Sequence, residues 1–299
     1  MKNMLLFVNP AAGRSEMHYQ LMDVISRFTA AGYDVTCHPT QKPQDITEVI
    51  AERGERFDMI VTCGGDGTLN ETVTGIMQLK HRPLLGYIPA GTVNDFATSL
   101  HIPKNIPDAV TNIIEGVPFS VDLGGFNDRY FTYVAAFGAF TKVSYATPHA
   151  SKQALGRAAY ILEGIRSLTD IRPIHVRAKT GDTEIEDDVI LGMVTNATSV
   201  GGFKALDDSI VKMDDGLNEL ILVRAPKVLA DYNAIVGALI ARDFKPDHFH
   251  ILQSDSVTLD FDVPVPWTLD GEYGGDTDHA VVINIPKPIR IMVPGEGNQ

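Results

Sequence analysis

The chain has 299 residues, 44% of them hydrophobic and 21% charged, which suits a folded protein of two domains better than one compact core. Acidic residues outnumber basic ones 38 to 25, a formal net charge of -13, which excludes sequence-independent attraction to nucleic acid as the main business. No stretch approaches the roughly 18 uninterrupted apolar residues of a membrane span. The two cysteines, Cys37 and Cys63, give no disulfide framework, so a reducing, cytoplasmic setting is expected.

Met1 to Val8 carries one lysine and no small-residue cleavage site, so it reads as a first strand and not as a signal peptide. The apolar run Leu5 to Val8 leads into the small loop Asn9-Pro10-Ala11-Ala12-Gly13-Arg14, and the helix after it carries Met17, Leu21, Val24, Ile25 and Phe28 on one face. Gly32 ends that helix. A second strand, Asp34 to His38, exits through Pro39-Thr40, and Ile46, Val49 and Ile50 mark the next helix. Met59, Ile60 and Val61 begin a third strand. It runs into Cys63-Gly64-Gly65-Asp66-Gly67-Thr68-Leu69-Asn70-Glu71 and a helix with Leu69, Val73, Ile76 and Met77 at apolar spacing.

Three glycines between a strand and a helix let backbone N–H groups approach a ligand and aim the helix N-terminus at it, which suits a phosphate. Asp66 would repel that phosphate unless a divalent cation such as Mg²⁺ lay between them, so the loop asks for a metal nucleotide. The plain alternative is a glycine-rich turn with no ligand. A fourth strand, Leu84 to Ile88, exits through Pro89-Ala90-Gly91-Thr92-Val93-Asn94-Asp95-Phe96. Thr92 can donate a hydroxyl to phosphate; Asn94 or Asp95 can cap the next helix, or Asp95 can serve as a second acid for a hydrated metal. Val117 to Asp122 ends in a third carboxylate, which a turn before Gly124-Gly125 would explain equally well. Strands apolar on both faces, alternating with helices, predict a parallel, doubly wound α/β sheet with ligands at the C-terminal ends of its strands.

From Arg129 onward the period changes. Val257, Leu259, Phe261 and Val263, and later Val281, Ile283 and Ile285, predict strands with one buried and one wet face, hence an antiparallel β-sandwich. Two clusters there carry chemistry. Lys212-Met213-Asp214-Asp215-Gly216-Leu217 is an acidic turn before a strand, solvated or cation-binding. Trp267-Thr268-Leu269-Asp270-Gly271-Glu272 places two carboxylates about a glycine, either as a hairpin turn or as a general base beside a hydroxyl. Between Lys142 and Lys179, seven bases (Lys142, Lys152, Arg157, Arg166, Arg172, Arg177, Lys179) face two acids (Glu163, Asp170), a local +5. A helix expected over Gln153 to Leu168 within it would suit an anionic membrane surface or simple packing on the sandwich.

The three loops together, Asn9 to Gly13, Gly64 to Glu71 and Gly91 to Ala97 in this order and spacing, resemble the diacylglycerol kinase catalytic domain. Length and layout are similar to the bacterial lipid kinases of the diacylglycerol kinase B and YegS type. The resemblance implies ATP and Mg²⁺ as cofactors and a membrane lipid as substrate, diacylglycerol by default, phosphorylated to phosphatidic acid by peripheral contact with the membrane. It implies nucleotide contacts from Asn9, Pro10, Ala11, Ala12, Gly13, Thr40, Gly64, Gly65, Asp66, Gly67, Thr68, Leu69, Asn70 and Thr92. Asp66, Asp95 and Asp122 would reach the catalytic metal, and a structural Mg²⁺ would take the Asp215 carboxylate with the Lys212 and Leu217 carbonyls, Asp214 being a spare candidate. Glu272 and Asp270 would supply the proton acceptor across an interdomain cleft, with Asp66 also catalytic. The domains expected are 1–125 for nucleotide and 126–290 for the lipid, with 291–299 returning to the first; a homodimer is left open. One departure is Ala12, where similar loops carry Ser or Thr, so backbone N–H groups or Arg14 must bind phosphate there. An NAD kinase shares the Gly-Gly-Asp-Gly-Thr loop, but the Asn9-Pro10 and Thr92 to Ala97 segments argue against it. Four acids, Asp66, Asp215, Asp270 and Glu272, argue against a non-catalytic nucleotide-binding regulator.

Overall fold

The computed structural model describes residues 1–10, 16–139, 172–201, 203–204, 211–241, 244 and 247–295. The readings of Ala11, Ala12, Gly13 and Arg14, and of the helix over 153–168 with Lys142, Lys152, Arg157 and Arg166, lie outside the described residues. The chain divides into two compact units, Met1–Asp122 with Pro286–Gln299, and Leu123–Ile285.

In the first unit, strands β1 (Lys2–Val8), β2 (Tyr33–Pro39), β3 (Met59–Gly64) and β4 (Leu84–Pro89) are all parallel, in the order β2-β1-β3-β4. Ile291, near the end of the last strand, adds to β4 opposite Leu85, again in parallel. The connecting helices are α1 (Glu16–Ala30), α2 (Asp45–Arg53) and α3 (Asp66–Met77), followed by α4 (Asp95–Ser99) and α5 (Ile106–Glu115). Alternate strand residues supply two apolar faces. Leu6, Val61 and Ile88 pack with Val24 and Phe28 of α1 and Val110 and Ile113 of α5. Helix α2 packs on α3, where Gly75 is needed because a Cβ there would stand 2.8 Å from the Ile50 side chain. The chain leaves β1 first toward β2 and then returns to the other side at β3. Strand order thus reverses at β1, the kind of point at which open α/β sheets bind ligands.

The second unit is strand-rich and antiparallel. After β5 (Val117–Phe126) come β6 (Arg129–Phe131), β7 (Val134–Gly138), β8 (Ile174–Thr180), β9 (Thr183–Thr195), the short pair β10 (Ser199–Val200) and β11 (Phe203–Lys204), β12 (Asn218–Arg224), helix α6 (Leu229–Ala241), β13 (Phe249–Ser254), β14 (Ser256–Leu269) and β15 (Glu272–Val293). The long strands β9 and β14 change partners along their length, pairing first with β8 and later with β7. Trp267, fully buried, lies 4.7 Å from the Phe126 ring and 4.8 Å from Phe137 between centroids, at the centre of this unit's core. Gly192 admits Phe137 here, since a Cβ would come within 2.2 Å of its ring.

Four expectations are corrected. β5 runs straight through Asp122 and Gly124-Gly125, so no turn accounts for that acid. Val263 is 65% exposed because β14 shifts register between Asp260 and Val265, at Pro264, which has no N–H to give a neighbour. In β15 the fully buried phase is Ala280 and Val282, while Ile283 is exposed and lies with Ile285 over Gly125. Finally, Arg177 and Lys179 are not free surface charge: they sit in β8 opposite Glu186 and Glu184 of β9, and Arg177 also meets Asp262 at 3.3 Å.

Candidate active site

The loop after β3 is held by backbone contact with the loop after β4. Ala90 N–H donates to the Gly64 carbonyl at 2.8 Å, and a Cβ on Gly91 would lie 2.5 Å from the Gly65 Cα, so Gly91 requires glycine for closeness alone, while a Cβ on Gly65 would be tight at 3.2 Å from the Gly91 Cα. Asn94 fastens the second loop to itself. Its φ is 59°, its Oδ1 accepts from Gly91 N–H and its Nδ2 donates to the Gly91 carbonyl, both at 3.0 Å. Asn tolerates this left-handed backbone better than most residues. Beneath lies Tyr87, whose hydroxyl is 3.2 Å from the Gly64 carbonyl and 3.4 Å from Asn94 Oδ1. Burial, then the charges of Asp66, Cys63 and Asp95, hold its phenol well above the ordinary range, so it stays a donor. The loop after β1 joins the group: Asn9 N–H donates to the Cys63 carbonyl at 3.3 Å, and Asn9 Nδ2 is 3.5 Å from Thr68 Oγ1. Thr40 N–H donates to the Val8 carbonyl at 3.0 Å, which ties the exit of β2 to the same edge.

Asp66 opens α3 after Gly65, and its carboxylate faces the N–H groups of Asp95 at 3.3 Å and Phe96 at 3.5 Å. It therefore stands at the start of α4. The expected cap by Asn94 or Asp95 is replaced by one from another loop, because the Asn94 side chain is committed to Gly91. Asp95 is 1% exposed; Asp122, fully buried, accepts from Lys287 N–H at 2.8 Å. Gly67, Leu69 and Asn70 lie in the first turns of α3, Leu69 pointing into the core, while Thr92 and Pro10 are exposed. Burial pushes the Cys63 thiol up to about 12, which disfavours its thiolate.

In the second unit, Asp270 and Gly271 link β14 to β15, with Leu269 opposite Glu272 and φ values of 50° and 83° at the two linking residues. That is the primed hairpin which Asp-Gly favours. The Asp270 carboxylate is buried and filled: Oδ2 accepts from Thr132 N–H (2.6 Å) and Oγ1–H (2.9 Å), and Oδ1 from Tyr133 N–H (2.9 Å) and Val134 N–H (3.1 Å). Glu272, two residues on, is exposed. The pair is thus divided: one carboxylate is anchored by four donors, the other is open to solvent.

The Lys212 to Leu217 turn folds on Asp215, whose Oδ1 accepts from Leu217 N–H at 3.0 Å, with Gly216 at φ 80°. The Leu217 carbonyl accepts from Asn284 Nδ2 at 3.0 Å. Glu219, just beyond, is fully buried; burial pushes its carboxyl up to about 7, against a hydrogen bond from Gln253 and with the Asp215 charge adding to the rise.

A model of the diacylglycerol kinase catalytic domain family matches residues 3–126. The chain is 34% identical over 299 residues to the diacylglycerol kinase of Bacillus subtilis (strain 168), covering 99% of this chain and 98% of that one. It belongs to the diacylglycerol kinase family. The diacylglycerol kinase of Staphylococcus aureus (strain MRSA252) is likewise 34% identical over 299 residues, covering 99% of this chain and 93% of the relative. Among solved structures, a candidate diacylglycerol kinase from Bacillus anthracis str. Sterne superposes with a TM-score of 0.85 at 26% identity, over 98% of this chain and 95% of that one. This diacylglycerol kinase family member is a lipid kinase.

The residues present fit a nucleotide and a hard cation. Gly65 and Gly91 let the two loops pack backbone to backbone beside Asp66, and carboxylates and carbonyls are the oxygen donors Mg²⁺ prefers. Among the described residues, no three His, Cys, Asp or Glu side chains converge as a direct metal cage. Sequence reasoning passed over Tyr87, Asn284 and Glu219. The signal for each was a polar group inside an apolar run, which must find a partner once buried.

Proposed function

We propose that this kinase transfers the γ-phosphoryl group of ATP to the hydroxyl of diacylglycerol, giving phosphatidic acid. The observation that carries this reading is the backbone contact of Gly65 with Gly91, with Asp66 beside it at the start of α3, in a chain that full-length relatives named diacylglycerol kinase match from end to end. We read the parallel sheet as doubly wound and residues 1–125, with 291–299, as the nucleotide domain, and 126–290 as a β-sandwich that takes the lipid. Backbone N–H groups of Gly64 to Asn70, with Asn9 to Gly13, Thr40 and Thr92, bind the nucleotide. Asp66, Asp95 and Asp122 orient a hydrated Mg²⁺, which when bound neutralises phosphate charge. Asp215 with the Lys212 and Leu217 carbonyls holds a second, structural cation.

Phosphoryl transfer has a loose transition state, so positioning and charge outweigh proton removal. As the hydroxyl oxygen bonds to the γ-phosphorus, the bond from that phosphorus to the bridging oxygen breaks and ADP leaves, and Glu272 accepts the hydroxyl proton; Asp270, with both oxygens engaged, positions the hairpin that carries Glu272. The acceptor is a membrane lipid, so the kinase works at a cytoplasmic membrane surface by peripheral contact. ADP release measured with diacylglycerol micelles, with NAD and with no acceptor tests the assignment. Turnover that requires diacylglycerol and Mg²⁺ is expected; equal turnover with NAD, or without any acceptor, would refute it.

A further inference from the structure

The strand after the acidic turn carries a carboxylate that no catalytic role uses. Along β12, Leu220 and Leu222 point into the core around Trp267, so Glu219, Ile221 and Val223 share the opposite face. Val211 packs on Ile221 there, which brings the start of the acidic turn segment back onto the face of β12 that carries Glu219. Glu219 is 0% exposed; one of its oxygens is 3.1 Å from Gln253 Nε2, and Oε2 has no hydrogen-bond partner. A second buried acceptor at the same turn is also unmatched. Asn284, 8% exposed, gives its Nδ2 to the Leu217 carbonyl and to Asn218 Oδ1 at 3.3 Å, which fixes the orientation of the amide and leaves Oδ1 without a partner.

Unmatched buried oxygens are costly, and an unpaired buried carboxylate more so. No Lys, Arg or His forms an ion pair with Glu219 among the described residues. We propose that Glu219 is a further carboxylate of the cation site at the Lys212 to Leu217 turn, facing the ion from beneath while Asp215 faces it from the exposed side. Two carboxylates and backbone carbonyls suit a hard divalent ion, Mg²⁺ or Ca²⁺, and Asn284 holds the Leu217 end of the site in register. This rests on the reading of that turn as a cation site.

The test is thermal unfolding of the chelator-treated full chain against added MgCl₂, without nucleotide, followed by the fluorescence of Trp267, the one tryptophan in the sequence. Expected is a saturable rise in midpoint for wild type and for Asp66→Asn, with half-saturation at about 10-fold or more higher Mg²⁺ for Glu219→Gln. If Asp215→Asn removes the rise while Glu219→Gln titrates like wild type, the turn binds a cation and the role given to Glu219 is wrong. If wild type shows no saturable rise, the cation reading of the turn fails and this inference with it. Wild-type protein titrated with MnCl₂ gives a measurement that needs no variant: the side-chain amide signals of Asn284 and Gln253 should broaden first in NMR spectra. A Gln253 amide that stays sharp at saturation would overturn the proposal.

Discussion

The division of labour between Asp270 and Glu272 makes the sharpest prediction. Replacing Asp270 with Ala removes the acceptor for three backbone N–H groups (Thr132, Tyr133, Val134) and for the Thr132 hydroxyl, all buried. Each buried donor left unmatched costs about 1 to 3 kcal/mol. Water entering the vacated space recovers part of that, and Ala at the φ of 50° adds about 1 kcal/mol of strain. The sum is a loss of about 4 kcal/mol, a large share of the roughly 5 to 15 kcal/mol that holds a domain. Asp270→Asn keeps one oxygen and turns an NH₂ toward the donors of the other, so it should lose about half as much. Glu272→Gln touches an exposed group and should change stability by less than about 0.5 kcal/mol, while lowering kcat by about 10² to 10⁴. Trp267 stands in the same core as this hairpin, so urea unfolding read by its fluorescence reports the unit directly. The expected shift in midpoint for Asp270→Ala is about 1.5 M, at a slope of about 2.5 kcal/mol per molar urea. A wild-type midpoint for Asp270→Asn with activity abolished would refute the anchor and return Asp270 to the role of base.

Three further outcomes follow from named contacts. Asp66→Ala should abolish turnover with circular dichroism preserved, at a cost of about 1 kcal/mol from the lost cap on α4; retained activity would remove Asp66 from the site. Gly91→Ala puts a methyl 2.5 Å from the Gly65 Cα and 2.7 Å from Asn94 Oδ1, so the two loops must part. A fall in kcat/KM of about 10²-fold with Trp267 fluorescence unchanged is expected, and unaltered kinetics would show that this contact does not shape the nucleotide site. His175 bonds Asp188 at 2.9 Å and Glu186 at 3.1 Å, and these carboxylates, Asp188 first, raise its pKa above 6.5. Its stabilising contribution is complete below the unfolded value near 6.5 and is lost as pH rises through the folded value. An NMR titration of the His175 ring should therefore show a midpoint above 6.5, and His175→Asn should flatten the stability curve over that range.

The parallel strands were legible because burial on both faces writes itself as unbroken apolar runs, such as Met4 to Val8 and Met59 to Val61. The antiparallel unit was harder to read because a register shift turns one residue of the apolar phase out to solvent before the same phase resumes at Val265, Trp267 and Leu269. Val257, Leu259 and Phe261 kept the alternation, then Pro264 and the register shift turned Val263 out to solvent. Strand β15 has apolar residues on consecutive positions, Ala280 to Ile283, so period alone could not choose between its two faces. The β8–β9 hairpin was hidden for a different reason. Its wet face carries His175, Arg177 and Lys179 against Asp188, Glu186 and Glu184, and charges paired across strands read in one dimension as a basic run followed by an acidic one.

At the candidate site, residue types suggested a chemistry but could not show the wiring. Three glycines and an aspartate at a strand end imply phosphate and metal from local geometry, and the resemblance of all three loops concerns the same short segments. What those segments do to one another depends on partners remote in sequence: the N–H groups that face Asp66 belong to residues 29 and 30 positions later, and those that fill Asp270 to residues 136 to 138 positions earlier. The ambiguity between Asp270 and Glu272 follows directly. Both are acids beside a flexible glycine, and only the arrival of the Thr132 to Val134 backbone distinguishes them. An acid surrounded by donors is stabilised as an anion and has no lone pair to spare for a proton in transit, whereas an exposed one has both capacity and access. Burial thus separates the two carboxylates, Asp270 held by four donors and Glu272 exposed, and the proposed assignment of the proton acceptor to Glu272 rests on that difference.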